Sequence, residues 1–429
     1  MADTAARRRK AAPAGAKHAP KAKRRWDFFA LGQLDIPFLL LVITVLTIGL
    51  VMLFSASYTY AYYNEGGDSA YYFKRQLVFA LVGVTAMLVV SKVRYDYFKL
   101  FAIPVMLVSW LLLIIVLFLP ADRGFHRWIN LGLFTFQPSE IAKFAIILFC
   151  AWSMDKNHKK IVGKQVNNAK LSRIVKGLSN GKIVVYESFV MLCFYAFIIV
   201  FTAGLVYLEN HLSGTLLLLA IGVVMMFLGE VKRHWFVLIG IVAVIAVVFF
   251  VLNPEILEKY AGERITAWLD KDYEPLGARW QTNNSLYAIG SGGLFGVGLG
   301  NSKQKHLYVS EPQNDFIFAI VCEELGFIRA AGILLLFLLL VLRGVVIGLR
   351  AKDRFGALLS MGIVFQVGLQ TALNIAVVTD ALPNTGISLP FFSYGGTSLM
   401  MLLFEMGIVL SVSRYSRLEK ADTSGVFKA

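Results

Sequence analysis

The stretch PFLLLVITVLTIGLVMLFSAS, residues 37–57, decides the fold class of this chain. It contains no charged side chain, and a helix of about 21 residues at 1.5 Å per residue crosses a hydrocarbon core of about 30 Å. Lipid offers the backbone no hydrogen-bond partners, so a spanning segment must satisfy its own backbone. The stretch is therefore predicted to be a transmembrane α-helix.

Similar apolar runs recur along the chain, and the composition agrees with them. The 429 residues are 57% hydrophobic and only 16% charged, and a soluble domain could not bury that much apolar surface. We predict an all-α polytopic membrane protein with about ten transmembrane helices. The other nine are predicted over residues 76–91, 100–120, 138–154, 188–207, 214–228, 234–252, 316–342, 355–378 and 393–412.

The distribution of basic residues predicts the orientation. With the N-terminus inside, the inner segments hold 30 of the 42 Lys and Arg residues, so both termini are predicted to be cytoplasmic. The predicted domains are a disordered basic tail over residues 1–30, a ten-helix membrane domain over residues 37–412, and a cytoplasmic C-terminal tail over residues 413–429. Topology and attraction to anionic lipid explain the net charge of +15, so no nucleic-acid partner is expected.

Motifs for cofactors are missing from the sequence. Cys150, Cys193 and Cys322 lie in apolar spans without a C-x-x-C pair, which predicts buried, reduced residues. The glycine-rich stretch over residues 290–300 lacks the G-x-x-x-x-G-K-[ST] pattern of a nucleotide-binding loop. No cofactor is predicted, and any chemistry is expected to use an activated substrate.

The outward side carries most of the polar chemistry. Residues 253–313 form one large extracellular loop between helices 7 and 8, and a loop of this length is usually functional. Pro312 suits the first turn of the helix that follows, which would place Asp315 at the outer mouth of the eighth span. Asp315 is the leading candidate site residue. The alternative is a helix-start carboxylate that interacts with the positive end of the helix dipole.

Charged residues also lie inside predicted spans, where each costs at least ~2.5 kcal/mol unless it is paired or hydrated. Glu323 and Glu324 lie about 12 Å deeper than Asp315, and by helical periodicity only Glu323 can share its face. On the fourth span, Glu140 and Lys143 are spaced i, i+3 and are therefore neighbours. They indicate either a self-compensating pair or the lining of a cavity in which Lys143 attracts an anionic headgroup.

The residues alone predict an outward-facing polar cavity within the membrane, with a carboxylate at its mouth. Just outside the fourth span, Arg127 and Trp128 favour an interfacial anchor of the aromatic-belt type. Such a cavity suits either a transferase that acts on a lipid-linked substrate or a transporter.

Five segments resemble signature segments of the SEDS family of shape, elongation, division and sporulation proteins, and the resemblance covers nearly the whole chain after the N-terminal tail. They are Arg127-Trp-Ile, Gln137-Pro-Ser-Glu140 with Lys143, Ala288-Ile-Gly-Ser-Gly-Gly-Leu-Phe-Gly296, Asn314-Asp-Phe-Ile-Phe-Ala319 with Glu323-Glu-Leu-Gly326, and Leu389-Pro-Phe-Phe-Ser-Tyr-Gly-Gly-Thr-Ser398. Phe73-Lys-Arg-Gln76 and Glu311-Pro-Gln-Asn-Asp315 look closer to the FtsW and SpoVE branch than to RodA.

The resemblance implies a peptidoglycan glycosyltransferase that polymerises lipid II, the undecaprenyl-pyrophosphate disaccharide-pentapeptide, at the outer face of the bacterial cytoplasmic membrane during cell division. Asp315 would be the general base that takes the proton of the acceptor sugar 4-hydroxyl. Basic residues or a divalent cation would stabilise the departing pyrophosphate. The predicted substrate-binding residues are Lys143, Glu140, Arg127, Arg279, Lys303 and Glu323.

The resemblance further implies a class B penicillin-binding protein and other divisome membrane proteins as partners, and a position at the division septum. Two alternatives stay open from the sequence: a lipid II flippase, which would be a transporter, and a non-catalytic divisome scaffold. Two positions depart from the family pattern. His211 stands where many relatives have an aspartate, and Arg329 where a small residue usually follows the Glu-Glu-Leu-Gly segment.

Overall fold

A computed structural model describes residues 32–120, 127–130, 132, 135–162, 180–252 and 263–426. Over these residues the chain is helical apart from its connections and one small antiparallel sheet of β1 (Ile129–Asn130) and β2 (Thr135–Phe136). The helices are α1 (Ile36–Asn64), α2 (Tyr71–Val90), α3 (Phe98–Phe118), α4 (Pro138–Val162), α5 (Asn180–Leu208), α6 (Leu212–Leu228), α7 (Arg233–Leu252), α8 (Glu263–Leu269), α9 (Trp280–Gly292), α10 (Ile317–Leu349), α11 (Arg354–Val378) and α12 (Gly396–Val426).

The all-α, polytopic prediction is confirmed. Each of the ten predicted spans coincides with one long helix, and the two remaining helices, α8 and α9, lie within the large loop. Within the described residues, seven helices are long and apolar enough to cross a membrane, and α6 is apolar but shorter. The predicted tail over residues 1–30 lies outside the described residues. At the other end, α12 continues as helix beyond residue 412.

The bundle has an inner and an outer set of helices. α4 packs against α3, α5, α6 and α11, and every side chain from Ala142 to Ala151 is buried. In α12, 67% of the apolar stretch is buried inside the protein, against 22% in α2. The outer helices expose leucine, valine and phenylalanine side chains, a surface suited to lipid. Cys193 lies on such a surface of α5, so the prediction that it is buried was wrong, whereas Cys150 and Cys322 are buried.

Helix α10 is broken near its N-terminal end, at Gly326, which has φ 77° and ψ 173°. The glycine-rich segment over residues 293–298 packs into the break. Its amides at Val297 and Gly298 donate to the carbonyls of Glu323 and Glu324, each at 3.0 Å. Returning bonds run from Phe327 N to Gly293 O at 2.9 Å and from Ile328 N to Leu294 O. The two chain segments therefore supply each other's backbone hydrogen bonds, as lipid cannot.

The start of α10 also differs from the sequence prediction. The helix begins at Ile317, so Pro312 is not in its first turn and Asp315 precedes the helix. The residues before the helix form turns, with Glu311 at φ 50°, and their backbone is held by the opposite loop, which joins α11 to α12. The position of Asp315 is therefore fixed by contacts with another part of the chain rather than by the helix itself.

Replacing Gly326 with alanine should destabilise the protein. An L-residue is strained at this φ by about 1–3 kcal/mol, and a Cβ there would lie 2.2 Å from the Gly296 nitrogen. Gly332→Ala, in the same helix, is the matched control because its Cβ would meet nothing within 4 Å. Thermal unfolding in detergent should show a clearly lower Tm for Gly326→Ala alone. Equal Tm values would contradict the packing described here.

Candidate functional site

A cavity of about 870 Å³ lies at the end of the bundle that the sequence predicts to face outward. Its walls come from α2, α4, α6, the β1–β2 segment, the turn before α10, and the loop between α11 and α12. The described residues on its walls include three basic and three acidic side chains and a histidine: Arg75, Arg127, Lys143, Glu140, Glu311, Asp315 and His211. A polar cavity is therefore present in the fold, and its outward orientation stays a prediction.

Asp315 is held in the cavity wall through its backbone. The side-chain amide of Asn374, on α11, donates to the Asp315 carbonyl at 2.7 Å and to the Ile387 carbonyl at 2.6 Å. Ser393 Oγ donates to the carbonyl of Asn314 at 2.8 Å. These bonds fasten the turn before α10 to the loop between α11 and α12. The carboxyl group is thus positioned without using its own oxygens.

The Asp315 carboxyl has the properties of a proton acceptor. Among the described residues, no donor lies within hydrogen-bond distance of its oxygens. Burial, and after it the nearby Glu311 carboxylate, raises the pKa of Asp315 to about 6, against the opposing charges of Arg127 and Arg264. At neutral pH the group is mostly ionised and yet basic enough to take a proton, which suits a general base.

Lys143 and Glu140 lie deeper in the same cavity. The Lys143 ammonium is 2.8 Å from a Glu140 carboxylate oxygen and donates to Gln370 Oε1 at 3.2 Å. Gln370 is itself held by the carbonyl of Ser388 at 3.0 Å. Both sequence interpretations therefore describe this pair, because the two side chains compensate each other and also line the cavity.

Arg127 and Trp128 line the cavity too, so a simple interfacial anchor does not describe their position. The Arg127 guanidinium donates to the carbonyl of Asn210, between α5 and α6. Burial, reinforced by Arg264, lowers the pKa of Arg127 to about 10, so it is positively charged at neutral pH. Arg127 is a second cation on the cavity wall.

Three of the predicted substrate-binding residues lie away from the cavity walls: Arg279, Lys303 and Glu323, the last of which is described below. Arg279 is buried and pairs with Asp380 at 2.8 Å, and it also donates to the carbonyl of Ala267. It therefore fastens α8 to the outer end of α11. The side chain of Lys303 is exposed, and its backbone amide donates to a Glu323 oxygen at 2.9 Å. A direct role of these residues in substrate binding stays a prediction.

The paired glutamates of α10 anchor the large loop. Glu323 accepts from the hydroxyl of Ser302 and from the amides of Lys303 and Gln304. Glu324, which is fully buried, pairs with the ammonium of Lys305 at 2.9 Å and accepts from Ser55 Oγ on α1 at 2.6 Å.

The partners of these glutamates, rather than their angular position relative to Asp315 on the helix, define their role. Neither glutamate lines the cavity, since both face the segment over residues 302–305. Arg329, which the sequence marked as unusual, is exposed on α10 and donates to the carbonyl of Phe295 at 3.2 Å. It caps the glycine-rich segment from the side.

The sequence reasoning did not single out Arg75, Glu311 or Tyr394 as site residues, although all three line the cavity. The available signal was that each lies within a segment resembling the family signatures. His211, noted only as a departure, lines the cavity as well, and its Nδ1 lies 3.4 Å from Gln137 Nε2. Burial lowers the pKa of His211 to about 3, so the imidazole is neutral at physiological pH.

The arrangement joins a proton acceptor to a group of cations. A hydroxyl bound near Asp315 can be deprotonated, and an anionic leaving group can be stabilised by Lys143, Arg127 and Arg75. Within the described part of the chain, no three His, Cys, Asp or Glu side chains form a group that could hold a metal ion. The divalent cation stays a prediction.

Behind the cavity, Glu209 is a buried carboxyl group whose two oxygens have no hydrogen-bond partner among the described residues. Burial raises the pKa of Glu209 to about 8, although the charge of Arg127 opposes the rise. The side chain is therefore mostly protonated at pH 7.

Comparison with known proteins places this site in a family context. The family model for FtsW, RodA and SpoVE, described as cell cycle protein, matches residues 36–418. The chain is 39% identical to stage V sporulation protein E of Bacillus subtilis, over 89% of this chain and 98% of that protein. It is 36% identical to a probable peptidoglycan glycosyltransferase FtsW of Trichlorobacter lovleyi, over 90% of this chain and 94% of that protein.

Solved structures agree with the fold. A chain of a peptidoglycan synthase complex, described as coordinating polymerization and crosslinking, matches with a TM-score of 0.68 and 25% identity, covering 89% of this chain and 98% of that one. The rod shape determining protein RodA of Thermus thermophilus matches with a TM-score of 0.59, 25% identity and the same coverage.

Replacing Glu209 with glutamine should leave stability near pH 4 almost unchanged and raise it at pH 8.5. The folded-state pKa lies above the unfolded value of about 4.3, so the folded wild-type protein loses stability as pH rises toward 8, whereas the amide does not titrate. Tm values at the two pH values measure the effect, with Glu230→Gln on the exposed surface as control. A variant that is less stable at pH 8.5 would show that Glu209 is ionised and paired.

Proposed function

The chain belongs to the FtsW, RodA and SpoVE family of cell cycle proteins, and on that premise we propose that it is a peptidoglycan glycosyltransferase that polymerises lipid II during cell division. Its curated relatives named probable peptidoglycan glycosyltransferase FtsW support this activity. The multi-pass fold supports a reaction at the membrane, and the cavity lies on the side predicted to face outward.

The observation that carries the proposal is that Asp315 and Lys143 line one cavity without contacting each other directly. Asp315 offers carboxylate oxygens that no described donor occupies, and Lys143 offers an ammonium group fixed by Glu140 and Gln370. A base and an anion-binding group in one cavity are what transfer from a pyrophosphate donor to a hydroxyl acceptor requires.

The reaction follows from these groups. Asp315 takes the proton of the acceptor sugar 4-hydroxyl as its oxygen forms a bond to the anomeric carbon of the donor. The bond from that carbon to the pyrophosphate breaks, and undecaprenyl pyrophosphate leaves with the electron pair. Lys143 and Arg127 attract the negative charge that develops on the departing group. No nucleotide is consumed, because the bond between the anomeric carbon of the donor and its pyrophosphate is already activated.

The cavity would also accept a lipid-linked substrate in a flippase, and the buried charges would be unused in a non-catalytic scaffold. No observation favours either alternative over the transferase. The names of the relatives, probable peptidoglycan glycosyltransferase FtsW, support transferase activity. The proposal therefore keeps glycosyl transfer as the function.

The first partner we propose is suggested by a similar solved structure. A chain of a peptidoglycan synthase complex has the same fold over nearly its whole length, which supports assembly with a class B penicillin-binding protein. Other divisome membrane proteins as partners, and a position at the division septum, complete the proposal and rest on the relatives named FtsW.

The polymerase activity can be tested with the protein purified together with its class B penicillin-binding protein, the latter inactivated as a transpeptidase. Lipid II should be converted to a ladder of glycan strands on a gel. Asp315→Asn should lower the rate by about 10²-fold or more, since general-base catalysis contributes roughly that much. Asp272→Asn, an exposed loop residue, is the matched control.

Two results would overturn this mechanism. A well-folded wild-type complex that consumes no lipid II would remove the transferase function. Polymer formed at an undiminished rate by Asp315→Asn would leave the function standing and remove Asp315 as the base.

The pH dependence of polymerisation should report the titration of Asp315 and the influence of the neighbouring Glu311 carboxylate on it. Since the pKa of Asp315 is raised to about 6, activity should fall as pH drops through about 6 and the base becomes protonated. Glu311→Gln removes a like charge, so the pKa of Asp315 falls and the acid limb should move by roughly 0.5 unit to lower pH. Initial rates between pH 5 and 8 measure this, with the exposed Glu274→Gln as control. If Glu311→Gln and Glu274→Gln show the acid limb at the same pH, the charge of Glu311 does not influence the titration of Asp315.

A further inference from the structure

Tyrosines are concentrated at the outer ends of α1 and α2, where six of them fall within residues 58–72. Three of these, together with one from the loop before α12, form a connected group of rings that we call the tyrosine cluster: Tyr60, Tyr71, Tyr72 and Tyr394. The Tyr72 ring lies at its centre, with ring centroids 4.8 Å from Tyr394, 5.2 Å from Tyr71 and 6.1 Å from Tyr60.

The tyrosine cluster begins at the wall of the cavity. Tyr394 lines the cavity itself, and so does Arg75, whose guanidinium lies 4.6 Å from the centre of the Tyr71 ring. The hydroxyl of Tyr60 lies 3.4 Å from a carboxylate oxygen of Glu311, a third lining residue. The rings are therefore continuous with the cavity wall.

The polar ends of the tyrosine cluster face carboxylates. Tyr72 donates its hydroxyl to Glu65 at 2.9 Å, and Tyr60 donates to Glu311. Tyrosines that serve only as membrane anchors direct their hydroxyls to water and headgroups. Here the hydroxyls of Tyr72 and Tyr60 are held by side chains of the protein, and all four rings are partly accessible. The rings are thus fixed in place as a surface.

We propose that the tyrosine cluster binds the glycan strand as it leaves the cavity, an inference that rests on the proposed function. The apolar C–H faces of pyranose rings pack well on aromatic rings, and sugar hydroxyls bond to carboxylates and guanidinium groups. The surface offers both kinds of group side by side, through Tyr72, Glu65 and Arg75. Its continuity with the cavity wall identifies the occupant as the polymer made there.

This subsite has a specific consequence for the product. Strand length depends on how many additions occur before the polymer dissociates. Loss of one aromatic contact should raise the dissociation rate roughly two- to tenfold, without affecting proton transfer at Asp315. The tyrosine cluster should therefore control strand length while leaving the rate of bond formation nearly unchanged.

The test uses the same purified complex and lipid II, with initial rate and strand-length distribution measured together on a gel. We expect Tyr72→Ala and Tyr60→Ala to shorten the mean strand roughly two- to tenfold, with initial rates close to wild type. Tyr72→Phe keeps the ring and should restore most of the length. Tyr287→Ala, at an exposed tyrosine on α9, is the matched control and should produce wild-type strands.

The outcomes separate the two proposals. If the wild-type complex makes no polymer, the proposed function fails. If polymer forms and the alanine variants give strands of wild-type length, the glycan subsite is overturned. It is equally overturned if initial rate and strand length fall together in a folded variant. The same holds if Tyr72→Phe makes strands as short as those of Tyr72→Ala. Should Tyr72→Ala have a lowered Tm, Tyr60→Ala, at the end of α1, decides the question.

Discussion

A helix that breaks within a membrane exposes backbone amides and carbonyls that lipid cannot satisfy. In this protein the break at Gly326 is tolerated because the segment over residues 293–298 supplies the missing partners, and glycines on both sides allow the backbones to approach. The neighbouring Glu323 and Glu324 then bind the residues that follow, over positions 302–305. The course of the large loop toward Asp315 depends on this one arrangement.

The site is assembled where that loop meets a second restrained segment. The loop between α11 and α12 is held by Asn374 and Gln370. It binds the carbonyls of Gln313 and Asn314, just before Asp315, while Asn374 binds the Asp315 carbonyl. Because the bonds use backbone atoms, the carboxyl group is fixed in position while its oxygens are free to accept a proton. Such preorganisation lowers the cost of reaching the reactive geometry.

Side chains of both charges share the cavity. Its described walls carry equal numbers of acidic and basic side chains, and the histidine among them is neutral at physiological pH. Burial and Glu311 keep the pKa of Asp315 close to neutrality, whereas Lys143 is confined by Glu140 deeper in the cavity. Acid–base chemistry and anion binding are thus separated in space, and the tyrosine cluster continues the wall on the side where the polymer would leave.

The sequence by itself determined the ten helices, the Glu140–Lys143 pair and the candidacy of Asp315, because helix length, i, i+3 spacing and a motif are local properties. Only the tertiary structure decided which charges share the cavity. It placed Arg75 and Glu311 on the cavity wall. It also paired Arg279 with Asp380 and joined Glu323 to Ser302 by a hydrogen bond. It also exposed Cys193. Hydropathy shows that a segment crosses the membrane, but it does not show which neighbours surround it, and those neighbours are supplied by residues distant in sequence.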